Sequence, residues 1–175
     1  MVKNLVILKI YFIAIGILLI SCASGSKSQG ARPLLKELTE NTYSKQDWFV
    51  PLLPAIMGIS ADQAIWRDTS DNHSIAQLVT HLIFWNNRIL SAFKGNEVPD
   101  FDGDNNRTFI QLSDKDWNEL VGEVQLLESE WKQVINNASR QKIIKWQSEI
   151  ANMCAHNAYH TGQIIYIRKQ NEWWR

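Results

Sequence analysis

The sequence predicts an all-α protein, a four-helix bundle with a long connection between its second and third helices. Three observations carry that expectation. Apolar residues recur at helical spacing through the long segments of the chain, and no run of four or more residues alternates as a strand would. A polar stretch from Gly95 to Leu112, with Pro99, Asp100, Asp102, Gly103 and Asp104, separates the second apolar segment from the third.

The first element is residues 34–59, a helical apolar pattern interrupted by Pro51 and Pro54. A proline lacks the amide hydrogen that an interior helical position donates, so one kinked helix is expected there. The second runs from Ser74 to Phe93 through Ile75, Leu78, Val79, Leu82, Trp85 and Ile89, and ends before Gly95. The third, about residues 114–136, follows Ser113 and places Trp117, Leu120, Val121, Val124, Leu127, Trp131, Val134 and Ile135 on one stripe. The fourth, about Lys145 to Gln170, carries Ile150, Met153, Ile164, Ile165 and Ile167.

Before these helices lies a different kind of segment. Lys3 and Lys9 give a positive start, Ile10 to Ile20 is apolar apart from Tyr11 and Gly16, and the run stops at Ser21-Cys22-Ala23-Ser24. That order is the one a secretory signal needs, and the run is short for a membrane span. Leu19-Ile20-Ser21-Cys22 resembles the lipobox of bacterial lipoproteins, which implies cleavage after residue 21 and a lipid on Cys22. An uncleaved anchor helix is the alternative, and either reading tethers the domain to a membrane. Residues 22–31, rich in Ser and Gly, read as a flexible spacer, and residues 32–175 as the folded domain. With no Asp after the cysteine, the lipoprotein resemblance implies the periplasmic face of an outer membrane.

Charge and cysteine content exclude some classes. The 175 residues hold 18 Lys+Arg and 18 Asp+Glu; losing residues 1–21 removes two lysines and no acid, leaving a net charge of about −2. The basic residues are dispersed, so no nucleic-acid partner is expected. Cys22 and Cys154 are the only cysteines; with Cys22 acylated, the fold cannot depend on a disulfide. Cys154 is expected in the core.

The chemistry concentrates in the fourth segment. His156 and His160 are four residues apart, which on a helix sets their Cβ atoms about 5–6 Å apart on one face, a spacing that suits two ligands of one divalent ion or two packed histidines. His81 lies between Leu78 and Trp85 on an inward-facing stripe, where a buried imidazole needs either a metal or a hydrogen-bonding neighbour. His73, among Asp71, Asn72 and Ser74 at a helix start, reads as a capping or solvent-facing residue. Histidines on adjacent turns cannot be opposite axial ligands of a haem, and no CxxCH motif is present.

His156-Asn157-Ala158-Tyr159-His160-Thr161-Gly162-Gln163-Ile164 resembles the HxxYHxGQI signature of the DinB/YfiT-like superfamily, and the segment from His73 to Leu82 resembles that family's second helix. The resemblance covers nearly all of the chain beyond residue 31. It implies a four-helix bundle of unusual connectivity, often a homodimer, that binds zinc, nickel or a similar ion through His81, His156 and His160 with positions left open. Three neutral ligands leave such an ion its full charge, enough to activate water at neutral pH or to hold a thiolate.

Gln77 and Asn152 precede His81 and His156 by four residues, and Gln163 belongs to the signature, so these three are candidates to support the ligands; each is equally an ordinary polar helix residue. Apart from Glu149, two turns from His156, no carboxylate shares the His156/His160 face. Of the eight tryptophans, Trp85, Trp117 and Trp131 are expected in the core. Trp66 and Trp146 are assigned to core or cleft, and Trp173-Trp174 to the bundle, a dimer contact or the membrane interface. Three functions remain: metal-dependent hydrolysis of a small molecule, thiol-dependent S-transfer on the same fold, and non-catalytic metal binding. An exported domain, away from the cytoplasmic thiols, favours the first and third.

Overall fold

A computed structural model describes residues 30–69, 71–112 and 117–174. Among these residues the secondary structure is entirely helical: α1 (Ala31–Tyr43), α2 (Leu52–Ile56), α3 (Ala61–Ile65), α4 (Ile75–Lys94), a 3-10 turn (Asn105–Thr108), α5 (Trp117–Asn137) and α6 (Arg140–Gln170). The expected signal sequence, the acylated Cys22 and most of the spacer lie outside the described residues, as does the Ser113 start of the third helix. No described helix is long and apolar enough to cross a membrane.

The four long helices form the bundle. α1 packs on α5 and α6, and α4 packs on the same two, so α1 and α4 stand at opposite corners. α5 and α6 are therefore diagonal although only Ala138 and Ser139 join them. The core between them holds Trp131, Tyr43, Phe93, Leu35, Ile75, Leu82, Ile135, Ile150 and Ile164. Trp117 and Trp131 are buried as expected, as is Cys154, whose thiol lies 3.9 Å from the Thr39 hydroxyl.

The ends of the helices follow local chemistry. Ser74 and Gln77 form a capping box at the start of α4, each side chain accepting the other's backbone N–H. Gly95, at φ 96°, closes the same helix in a left-handed conformation that a side chain would disfavour. Ser139 caps α6 by accepting from the amide of Lys142, so that helix starts five residues before the apolar pattern suggested. Arg32 donates to the carbonyls of Ile135, Asn136 and Ala138, placing a cation on the negative end of α5.

The kinked helix expected over 34–59 does not form. α1 ends at Tyr43, eight residues before Pro51, in the polar sequence Ser44-Lys45-Gln46-Asp47. Pro51 then occupies the N-cap of the separate α2, and Pro54 falls in its first turn, where no amide hydrogen is needed. The prolines start a new helix rather than bend an old one.

The C-terminus docks back on the bundle. Arg168, buried on α6, donates to the carbonyls of Ala55 at 2.7 Å, Met57 at 3.1 Å and Trp173 at 3.0 Å. The Trp174 ring lies 4.6 Å from its guanidinium, and Trp173 meets Trp66 edge to face at 5.6 Å.

Candidate metal centre

α4 and α6 bring His81, His156 and His160 together. His156 Nε2 lies 3.1 Å from His81 Nε2 and 3.0 Å from His160 Nε2, and one ligating atom from each ring falls within 4.8 Å of the other two. Nitrogens about 2.0–2.1 Å from a common ion are about 2.9 Å apart at a right angle and about 3.4 Å apart at a tetrahedral one. The two short separations fall in that interval.

The outer nitrogens decide which way the lone pairs face. His160 Nδ1 is 2.6 Å from Gln163 Oε1, an oxygen that only accepts, so Nδ1 carries the hydrogen. His81 Nδ1 is 2.6 Å from Thr108 Oγ1, whose own hydrogen is donated to the carbonyl of Asn105 at 2.7 Å, so here too Nδ1 is the donor. Both rings are thereby held in the tautomer that leaves a lone pair on Nε2, turned inward. These are the contacts by which metal-binding histidines are oriented. Burial, and then the neighbouring rings of His160 and His156, lower the His81 pKa to about 3; burial and His160 lower that of His156 to about 4. Burial also lowers His160, against the opposing pull of Gln163. The three donors are neutral at pH 7, as ligands must be.

The connection between α4 and α5 completes the site. Its 3-10 turn is pinned by the Thr80 hydroxyl, which accepts from the Ile110 amide at 3.0 Å, and by Trp85, whose indole donates to Asn105 at 3.2 Å. Phe109 then stacks flat on His81, with centroids 4.1 Å apart, and His73 stacks on the other face of Phe109 at 3.7 Å. His73 thus backs the site as the outer ring of a three-ring stack; Ser74, not His73, caps the helix.

A cavity of about 530 Å³ opens over the histidines. Trp85, Ile89, Phe109 and Met153 supply apolar walls; Asn105, Asn152 and Glu149 supply polar groups. Trp85 is consequently a half-buried wall of the cavity and not the core residue its stripe suggested. Asn152 lines the cavity as its spacing suggested, and Gln163 touches a ligand directly. Gln77 does not reach His81: its oxygen is engaged by the helix cap and its amide donates to the Phe109 carbonyl at 3.4 Å, so it acts on the site through Phe109. Trp66 lines a second cavity of about 400 Å³ with His73, Tyr159 and Gln163, while Trp146 packs edge to face on Phe93.

Thr108 and Phe109 were not expected at the site. Neither belongs to a periodic pattern, and the one local signal is Asp104, whose side chain accepts from the Asn106 amide and starts the turn.

The arrangement provides three neutral nitrogen donors on rigid helices, two of them oriented from behind, beneath an open apolar cavity. It fits a divalent metal ion with room for a further ligand. No curated protein and no solved structure matches the chain. The model of the DinB superfamily matches residues 51–164, a span that takes in all three histidines and Gln163, and the chain belongs to that superfamily.

Proposed function

We propose that this chain is a divalent-metal-binding protein of the cell envelope, with His81, His156 and His160 as ligands and zinc or nickel as the ion, that hydrolyses a small molecule. The observation that carries the reading is the convergence of Nε2 atoms whose tautomers are set by Thr108 and Gln163. When bound, the ion supplies the Lewis acidity that polarises a carbonyl and makes water nucleophilic at neutral pH. Phe109 and Trp85 give the cavity apolar walls, and Asn152 and Asn105 offer amide groups to orient a polar group of the substrate. The tether is the lipid on Cys22 followed by the spacer, which leaves the domain on the periplasmic side of the membrane.

The test is elemental analysis of the detergent-solubilised full chain beside single His81→Ala, His156→Ala and His160→Ala variants. About one divalent ion per chain, lost in each variant, is the expected result. A wild type that folds yet takes up neither zinc nor nickel rejects the metal. A loaded protein that turns over no ester, amide or lactone in a broad screen rejects hydrolysis and leaves metal binding alone.

A further inference from the structure

The cavity above the histidines has a one-sided charge inventory. Among the described residues that line it, Glu149 is the one of fixed charge, and none is Lys or Arg. The neighbouring cation, Arg88, is engaged elsewhere: its guanidinium lies 5.7–6.0 Å from the ring centroids of Phe84, Trp85 and Phe101 and donates to the Pro99 carbonyl. An anionic group on a ligand would therefore meet no side-chain cation among the described residues that line the cavity.

A positive group meets favourable partners. Glu149 stands seven residues before His156 on α6, two turns along the same face, which at 1.5 Å per residue sets it about 10 Å along the axis. Its side chain is exposed, so the carboxylate sits at the rim while the histidines form the opposite end. The indole of Trp85 also lines the cavity, and an indole ring attracts organic cations, whereas Phe109, covered by His81 and His73 on its two faces, contributes apolar wall. A carboxylate at the end of an apolar cleft also concentrates its field there.

We infer that the ligand of this cavity is a small, largely apolar molecule carrying an ammonium-type positive group about 10 Å from the atom that approaches the histidines, and that Glu149 selects it. The orientation rests on the reading of the histidine cluster as a metal centre: a divalent ion there repels a cation, so the positive end points to the rim. The size of the cavity, about 530 Å³, is that of a small-molecule site.

The test is calorimetric binding of three aryl probes, benzyltrimethylammonium, benzyl alcohol and phenylacetate, to the detergent-solubilised full chain, with and without zinc. In metal-free protein the cation binds tightest and the carboxylate weakest, the cation exceeding the alcohol by on the order of fivefold, as one solvent-exposed carboxylate allows. Glu149→Gln brings that ratio close to one and Glu149→Lys inverts it; because the residue is exposed, both variants keep the core. Equal binding of the three probes to the metal-free wild type, or a cation preference that survives Glu149→Gln, overturns the inference. The metal-free comparison separates this from the reading above. Absence of zinc uptake sinks the metal centre while the probe ratio still decides the role of Glu149.

Discussion

Asn86 and Asn157 exchange two amide hydrogen bonds in the centre of the bundle, Asn86 Nδ2 to Asn157 Oδ1 at 2.8 Å and Asn157 Nδ2 to Asn86 Oδ1 at 3.0 Å. Both side chains are fully buried, and the Tyr43 hydroxyl donates to the same Asn86 oxygen at 2.6 Å across the diagonal from α1. Asn157 follows His156 directly and Asn86 follows His81 by five residues. The pair therefore fixes how far α4 and α6 can slide, and with it the separation of the histidines they carry.

Breaking this pair from one side is expected to cost more than removing it whole. Asn157→Leu takes one hydrogen-bond partner from each polar atom of Asn86, whose Nδ2 keeps the Leu82 carbonyl and whose Oδ1 keeps the Tyr43 hydroxyl, a loss of about 1–2 kcal/mol in chemical denaturation. A triple Tyr43→Phe, Asn86→Leu, Asn157→Leu variant is expected to recover much of that stability while zinc affinity stays reduced, since packing without the amide pair no longer dictates the register. Wild-type zinc affinity in the triple variant would show that apolar packing alone aligns the helices.

The tautomer argument predicts that Thr108→Val weakens zinc by about tenfold, the usual scale for losing a hydrogen bond behind a metal-bound histidine. Valine keeps the shape but accepts nothing, so His81 is no longer held with its hydrogen on Nδ1. Gln163→Leu should act likewise on His160, whereas Gln163→Glu keeps an accepting oxygen and retains affinity. Zinc competition with a chromophoric chelator measures all three, and nitrogen NMR of the His81 ring reports the tautomer. Unchanged affinity in both Thr108→Val and Gln163→Leu would mean that the helices alone orient the rings.

Much of this site was legible in the sequence, for physical reasons that also mark where legibility stops. His156 and His160 are four residues apart on one helix, so periodicity alone faces them together, and the stripe from Ile75 to Phe93 turned His81 inward. Gln163 is one turn beyond His160 and was reachable the same way. Thr108 and Phe109 reach His81 through a non-repetitive turn whose path is set by hydrogen bonds to Thr80 and Gln77, about thirty residues away in the chain, and no pattern encodes such a path. Trp85 was misplaced because a stripe shows which side of a helix faces inward but not whether that side meets a core or a cavity. The break after Tyr43 was missed because α1 ends in an ordinary polar sequence well before the prolines.

Arg168 is expected to act on stability without touching the metal. Its guanidinium, buried and donating to carbonyls on both sides of α2's end and to Trp173, holds the C-terminal tryptophans against the bundle. Arg168→Met keeps the apolar stem but strands those carbonyls, and a loss of about 2–4 kcal/mol is expected. Trp173 and Trp174 should then become wetter, read as a red shift and faster quenching of tryptophan fluorescence. Zinc affinity should hold, because sites without shared partners add independently; a parallel loss of affinity would tie the docked terminus to the metal centre.

His156 and Asn157 are neighbours in sequence, and their substitutions should respond oppositely to metal. His156 is half-exposed, its Nδ1 has no protein partner among the described residues, and its Nε2 meets two other ring nitrogens, at least one of which it can only face lone pair to lone pair. His156→Ala removes little packing and at most one hydrogen bond, so metal-free stability should change by less than about 1 kcal/mol. Zinc binds the native state and stabilises it by about 2.7 kcal/mol when free zinc is about 100 times its Kd. That gain should appear in the wild type and be absent from His156→Ala. Asn157→Leu should be destabilised with or without zinc. Thermal denaturation of the three proteins with chelator and with zinc decides the matter: a His156→Ala variant as unstable without metal as Asn157→Leu would make the histidine a packing residue and remove the reason for placing an ion between these rings.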